Sequence, residues 1–392
     1  MKFKPLVLAA LALATPWFAP SVRAAEPYQL QVILPLTGPA AFLGKGEQIS
    51  LGLAEKVIND GGGIQGRPVQ FVFHDDQTSP QVALQLFNDA IATKPAVILG
   101  SSLVAVCRAV GPIMEKTGPV EYCFSPGIHP EAGTYIFTAS VSTLDLAHSL
   151  LRYYQRKGWK KVGLIFSTDA TGQDAENGIK SILALPEFQD MQAIITTHFN
   201  TTDLSVAAQM EQIKASGAQA IVAWSTGSPI ATIFRGMKQA GLDIPVATTD
   251  GNMTYEQMTQ YKDFLPNQLY IPAAQWVVTD EKLLAPPVAK AHQDFYKYFN
   301  AAGRKPDIAS ELAWDAAMIV VSGLRKLGTD ATPAQLRAYI AGLKGFAGVN
   351  GVYDFGKTPQ RGLDIADSVV THWSPQAGTW EVVSKPTGIP IK

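Results

Sequence analysis

Five short apolar runs recur along the chain: 29-QLQVILP-35, 96-AVILG-100, 161-KVGLIF-166, 219-QAIVAW-224 and 244-IPVATT-249. They lack the strict polar alternation of a strand with one wet face, so they read as strands buried on both sides. Segments with helical spacing lie between them: 80-PQVALQLFNDAIAT-93, 143-TLDLAHSLLRYYQRKG-158, 203-DLSVAAQMEQIKASG-217 and 229-PIATIFRGMKQAG-241. Asp203, and Ser228 with Pro229, stand where helices start, and Gly158, Gly217 and Gly241 stand where they stop. Strand and helix in alternation predict an α/β chain with parallel sheets covered by helices.

The stretch 59-NDGGGIQGRP-68 contains G-x-G-x-x-G, the pattern of a dinucleotide-binding turn. That turn requires a strand before the glycines and a helix after them. Here the order is reversed. Ile49, Leu51, Leu53, Ala54, Val57 and Ile58 precede the glycines at helical spacing, and 68-PVQFVF-73 alternates after them. The glycines therefore end a helix, with Gly61 or Gly62 as the left-handed residue. The near phosphate loop 38-GPAAFLGKG-46 has one residue too many between Gly38 and Gly44 and lacks the hydroxyl after Lys45, so it reads as a turn into a helix.

The later third changes character. Two long helical patterns, 287-303 and 308-328, follow one another, and the chain closes on a hairpin, 367-DSVVTHW-373 and 379-TWEVV-383. The 392 residues, 47% hydrophobic and 17% charged, suffice for two domains. No low-complexity linker separates them, so the chain is expected to cross between lobes at 137-142, 270-275 and 352-357. The expected division is 25–140 with 276–353 as lobe 1, and 141–275 with 354–392 as lobe 2.

Residues 1–24 read as a secretory signal peptide: Lys2 and Lys4, a short apolar run from Leu6 to Ala14, and small residues at Val22 and Ala24 before the cut. Without Lys2, Lys4 and Arg23, 32 Lys and Arg against 33 Asp and Glu become a mature charge of about −4. No basic run points to nucleic acid, and no later run is apolar enough to insert in a bilayer. Cys107 and Cys123 are the only cysteines. An isolated pair in an exported chain is expected to bridge, worth about 3 kcal/mol in the chain-entropy picture. A redox or metal role is the weaker alternative, because C-x-x-C is absent and two thiols alone make no zinc site.

Catalytic signatures are missing. The six histidines form no H-x-x-x-H, and no G-x-S-x-G elbow occurs. Residues 74-HDDQ-77 end a strand, where Asp76 or Thr78 is expected to cap the next helix. The expectation is a chain that is not an enzyme and holds no metal or cofactor. Loops after the parallel strands remain as the place where open α/β sheets bind ligands: 36-44, 100-106, 124-130, 167-173, 224-229 and 249-254. Phe42, Leu43, Ile128 and Trp224 are their apolar walls. Ser101 and Ser102 stand at a helix start, where free N–H groups favour an anion; capping and ligand contact are both open there.

The run 35-PLTGPAAFLG-44, then 57-VINDGGGIQGRPVQFVFHDD-76, then 124-FSPG-127 resembles the branched-chain amino acid-binding proteins, periplasmic solute-binding proteins of ABC importers. The similarity extends more weakly from about Tyr28 to the final hairpin. The resemblance implies two Rossmann-like lobes of the type I periplasmic binding protein fold, joined by three hinge crossovers, with ligand between them. It places Ser101, Ser102, Val104 and Ala105 at the ligand carboxylate and Asp250 at a ligand amino group. It also implies departures. Ile128 and His129 follow Gly127 where a Thr is usual, Thr171 stands in place of a Tyr, and Gly227 lies in a loop that often carries an aromatic. Together these favour an aromatic acid over an aliphatic or aromatic amino acid. The implied partners are that small carboxylate and the membrane permease of an importer, the protein acting as a periplasmic monomer; a sensor presenting solute to a signalling partner is the other binding role.

Overall fold

The computed structural model describes Met1 and residues 26–391. The proposed signal peptide lies outside the described residues, apart from Met1. In the first lobe β1 (Tyr28–Leu34), α1 (Ala41–Asp60), β2 (Val69–Asp75), α2 (Pro80–Ala92), β3 (Val97–Gly100), α3 (Val104–Met114), β4 (Val120–Cys123) and β5 (Ile136–Thr138) alternate. The five strands form one sheet in the order β2-β1-β3-β4-β5, all parallel. The chain then enters a second lobe: α4 (Thr143–Arg156), β6 (Lys161–Ser167), α5 (Ala170–Leu183), β7 (Gln192–Phe199), α6 (Ala207–Ser216), β8 (Ala220–Trp224), α7 (Ile230–Ala240), β9 (Val246–Ala247), α8 (Tyr255–Gln260) and β10 (Leu269–Ala274). It returns for α9 (Pro286–Ala301), α10 (Ile308–Leu327), α11 (Pro333–Ala341) and the small hairpin β11 (Lys344–Ala347) and β12 (Val352–Asp354). It crosses a third time to add β13 (Ser368–Ser374) and β14 (Thr379–Val382). These close the second sheet, β14-β13-β10-β9-β8-β6-β7, with β13 antiparallel to both neighbours.

Local chemistry accounts for the elements. The glycine run stops α1 as its order requires: Gly62, Gly63 and Gly66 have φ of 88°, 61° and 87°, which β-carbons disfavour. Asn59, just before them, accepts from the Val69 N–H at 2.7 Å and donates to its carbonyl at 2.9 Å, so the helix end registers β2. Gly217 and Gly241 cap α6 and α7 in the left-handed region, and Gly158 has a φ of 83° just beyond α4. α10 is buried along most of its length because it packs on α1 across the first sheet.

Several sequence expectations need correction. Ser79, not Asp76 or Thr78, caps α2 by accepting from the Val82 N–H. Asp203 does not start α6; it accepts from the Asn200 N–H in a turn, and the helix begins at Ala207. The run 244-249 yields only a two-residue strand, and residues 170-173, expected in a loop, are the first turn of α5 with Asp169 as its cap. Among the described residues no helix is long and apolar enough to cross a membrane.

Candidate functional site

The carboxyl ends of both parallel sheets face each other, and a small cavity lies between them. The first lobe contributes Leu43 from the first turn of α1, Ser102 and Val104 at the start of α3, Ser125 and Gly127 after β4, and Leu312 from α10. The second lobe contributes Thr171 and Asp174 of α5, Trp224 at the end of β8, Thr226, and Thr249 to Gly251 after β9. Thr143, the first residue of α4, completes the wall. The cavity is small, about 30 Å³.

Not every residue expected at the ligand reaches the cavity. Phe42 turns to a separate surface groove beside Lys45 and Tyr255. Ser101 lies beneath the wall, fully buried, its hydroxyl donating to Asp76 Oδ2 at 2.6 Å. Ala105 is exposed on α3, and Ile128 packs in the apolar cluster between α2, α3 and β4. Gly227 is spent on lobe contact. Its φ is 87°, a β-carbon there would stand 2.7 Å from the Pro39 carbonyl, and the next residue, Ser228, donates its N–H to that carbonyl at 3.3 Å. A side chain at 227 would hold the lobes apart.

The serines do not cap α3. Leu103 is its N-cap residue and no side chain bonds the first-turn N–H groups. Ser102 instead makes a short hydrogen bond to Glu47 Oε2. Glu47 is fully buried, and burial pushes its carboxyl up to about 8, with Ser102 pulling the other way and Asp76 and Asp307 adding to the rise. At neutral pH it is mainly an uncharged acid.

Asp250 is the polar feature of the opposite wall. It is 1% exposed. Its Oδ1 accepts from the Thr249 hydroxyl at 2.8 Å and the Gly251 N–H at 2.9 Å. Its Oδ2 is buried with no hydrogen-bond partner among the described residues. Burial raises the carboxyl to about 6 against the lowering by those donors and by the Arg361 charge. Asn252 fixes the loop, donating to the Ser225 carbonyl at 2.7 Å and Thr248 Oγ1 at 2.9 Å while accepting from the Gly227 N–H at 2.9 Å.

Two residues that sequence reasoning missed tie the wall together. Asp174 is 8% exposed and accepts from two side chains of the other lobe, Arg108 Nη2 at 2.9 Å and His129 Nε2 at 3.1 Å. His129, expected at the ligand, is thus half-exposed and bound to this clasp. Arg361, in the third crossover, is buried without a carboxylate partner in hydrogen-bond range among the described residues. Its guanidinium donates to the carbonyls of Ala139, Ser140, Pro126 and Ile128 at 3.2, 3.1, 3.1 and 2.7 Å. Burial lowers it to about 10, so it remains a cation at neutral pH. Neither residue had a local signal, since an Asp inside an amphipathic helix and an Arg in a polar loop look like solvated surface.

Residues 27–374 match the family model described as "Periplasmic binding protein", and the chain belongs to that family. The resemblance read from the glycine run and its flanks therefore holds. The "Leu/Ile/Val-binding protein homolog 6" of Brucella abortus is 25% identical over 334 residues, spanning 78% of this chain and 84% of that protein. Two solved structures share the fold. A type 1 periplasmic binding protein from Bordetella pertussis superposes with a TM-score of 0.78 at 21% identity, covering 93% of this chain and all of that one. A branched-chain amino acid transporter substrate-binding protein from Streptococcus pneumoniae, in complex with isoleucine, gives 0.75 at 18%, covering 91% and 99%.

Proposed function

We propose that this chain is the exported solute-binding component of an ABC importer and that its ligand is a compact α-amino acid held between the lobes. The observation that carries the reading is Asp250 Oδ2, a buried carboxylate oxygen with no partner among the described residues, on the wall of the cavity between the lobes. A buried ammonium needs such a counter-charge, and the uncapped first turn of α3 across the cavity suits the ligand's carboxylate. Leu43, Val104, Leu312 and Trp224 supply an apolar wall for its side chain. The name of the Brucella relative supports the same class.

On this reading residues 25–140 with 276–353 and residues 141–275 with 354–392 close as two lobes about the crossovers. Residues 1–24 are removed on export, and the mature monomer delivers its ligand in the periplasm to a membrane permease. The aromatic-acid reading is the second choice. Thr171 does line the cavity. However, Gly227 is committed to Pro39 and His129 to Asp174, so neither enlarges or recharges the space.

Calorimetric titration with leucine, phenylalanine, benzoate and 4-hydroxybenzoate tests the choice. Saturable heat from leucine or phenylalanine and none from the benzoates is expected. Binding of a benzoate alone would replace the amino acid with the aromatic acid. No response to any of the four, in a protein that still melts cooperatively, would remove both.

A further inference from the structure

The bridge expected from the sequence is present: Cys107 and Cys123 are joined, with Cα atoms 6.2 Å apart. The sequence does not announce the third group beside it. Glu121 and Cys123 are two residues apart on β4, so both side chains leave the strand on the face covered by α3, which carries Cys107. The two sulfurs and one Glu121 carboxylate oxygen all lie within 4.8 Å of one another. All three residues are buried, Glu121 completely.

Glu121 is anomalous. Both carboxylate oxygens are buried and neither has a hydrogen-bond partner among the described residues. An interior acid with no donor, cation or hydroxyl against it carries the full cost of its desolvation, and buried polar groups in folded proteins are rarely left so. The Ser101 carbonyl oxygen lies beside the sulfurs, 3.3 Å from Cys107 Sγ and 3.6 Å from Cys123 Sγ, and accepts from the Phe124 N–H at 2.9 Å, which leaves one lone pair. Two sulfurs and a carboxylate together, with a carbonyl beside the sulfurs, are a donor set for a tetrahedral, borderline-soft dication.

We propose that the thiol form of this protein binds one zinc ion through Cys107, Cys123 and Glu121, with the Ser101 carbonyl at the fourth corner. The bridge and the metal are alternative occupants of one place. A dithiol reductant supplies two electrons and two protons, the S–S bond becomes two thiols, and the reductant leaves as its own disulfide. Zinc then enters as the two thiols and the Glu121 carboxyl give up three protons. Loss of the bridge frees α3 to lift from β4, which opens the path to a buried site. In an oxidising compartment the bridged form prevails; the metal form belongs to reducing conditions. Because Ser102 follows Ser101 and lines the cavity, the metal sits one residue from the ligand wall.

The test uses the full exported chain, bridged or reduced with a dithiol that is then removed without air. Zinc is titrated in competition with a fluorescent chelator, and cobalt replaces zinc for absorption spectra. One zinc per reduced chain, none per bridged chain, and thiolate-to-cobalt bands in the near ultraviolet are expected. Glu121→Gln should keep the bridge and weaken zinc by about tenfold or more, and Cys107→Ser should abolish uptake. Equal uptake by bridged and reduced chains, no uptake by the reduced chain, or unchanged affinity in Glu121→Gln each overturns the assignment. Should reduction unfold the chain, circular dichroism becomes the readout: refolding on addition of zinc supports the site, and failure to refold refutes it.

Discussion

The two walls of the cavity satisfy their polar groups in opposite ways. On the first lobe the hydroxyls point away from the ligand space into acids: Ser101 to Asp76 and Ser102 to Glu47. The loop after β4 is held from behind by Arg361. On the second lobe Asp250 uses one oxygen internally and leaves the other without a partner. Glu47 Oε1 also lacks a partner among the described residues, but Glu47 stands behind the wall, whereas Asp250 lines the cavity. On the proposed function, the first wall fixes the ligand's orientation and Asp250 supplies the largest single contribution to selectivity.

Replacing Asp250 should break that contrast most severely. Asp250→Asn leaves a ligand ammonium buried without a counter-charge, a loss of about 3–5 kcal/mol, so calorimetry with leucine or phenylalanine should show affinity falling by at least about a hundredfold. An aromatic acid would bind as well or better to the variant. The same carboxyl gives a pH signature. Its folded value of about 6 lies above the ordinary 3.8. The free protein therefore holds the proton more tightly than the unfolded chain, and this group's contribution to stability falls as pH rises from about 4 to 6. Binding of an ammonium needs the ionised form, so affinity should drop about tenfold per pH unit below 6, with a proton released on binding. Affinity that is flat from pH 5 to 8 would show that Asp250 does not meet a charged ligand group.

The clasp is the next largest effect. Asp174→Asn keeps the shape but loses the charge that draws Arg108 and His129 across the cleft. Arg108 is 45% exposed, so solvent screens the pair, and a loss of about 1 kcal/mol, or fivefold in affinity, is expected. Stopped-flow kinetics should place it in faster release rather than slower capture, since the contact spans the lobes only when they are close. A change confined to the on-rate would contradict a clasp. Glu47→Gln should do least. A neutral amide replaces a mainly neutral acid and keeps a partner for Ser102, so affinity should stay within about threefold, while Glu47→Ala, which strands Ser102, should cost more.

The fold was legible where one physical signal dominated. The reversed order around 59-NDGGGIQGRP-68 excluded a dinucleotide site, and the structure places the positive φ values and the Asn59 contacts where that order requires them. The cysteine pair was legible because two thiols in neighbouring elements have few alternatives. Side chains in the cavity were less so. Sequence and resemblance placed Ser101, Ala105, Ile128 and Gly227 near the ligand, but which neighbour a side chain faces depends on tertiary packing, within the first lobe for Ser101, Ala105 and Ile128 and between lobes for Gly227. Glu121 and Asp174 were silent for the same reason: each meets its neighbour only in the folded chain, Cys107 in one case and Arg108 in the other.

Arg361 sets an order of assembly. The four carbonyls it holds lie 221 to 235 residues earlier in the chain, so the loop after β4, made early, receives its mould only when the chain has been made as far as Arg361. Closing contacts over such a separation is slow and comes late in folding. A nascent chain cut short before Arg361 would have the first sheet but an unfinished ligand loop.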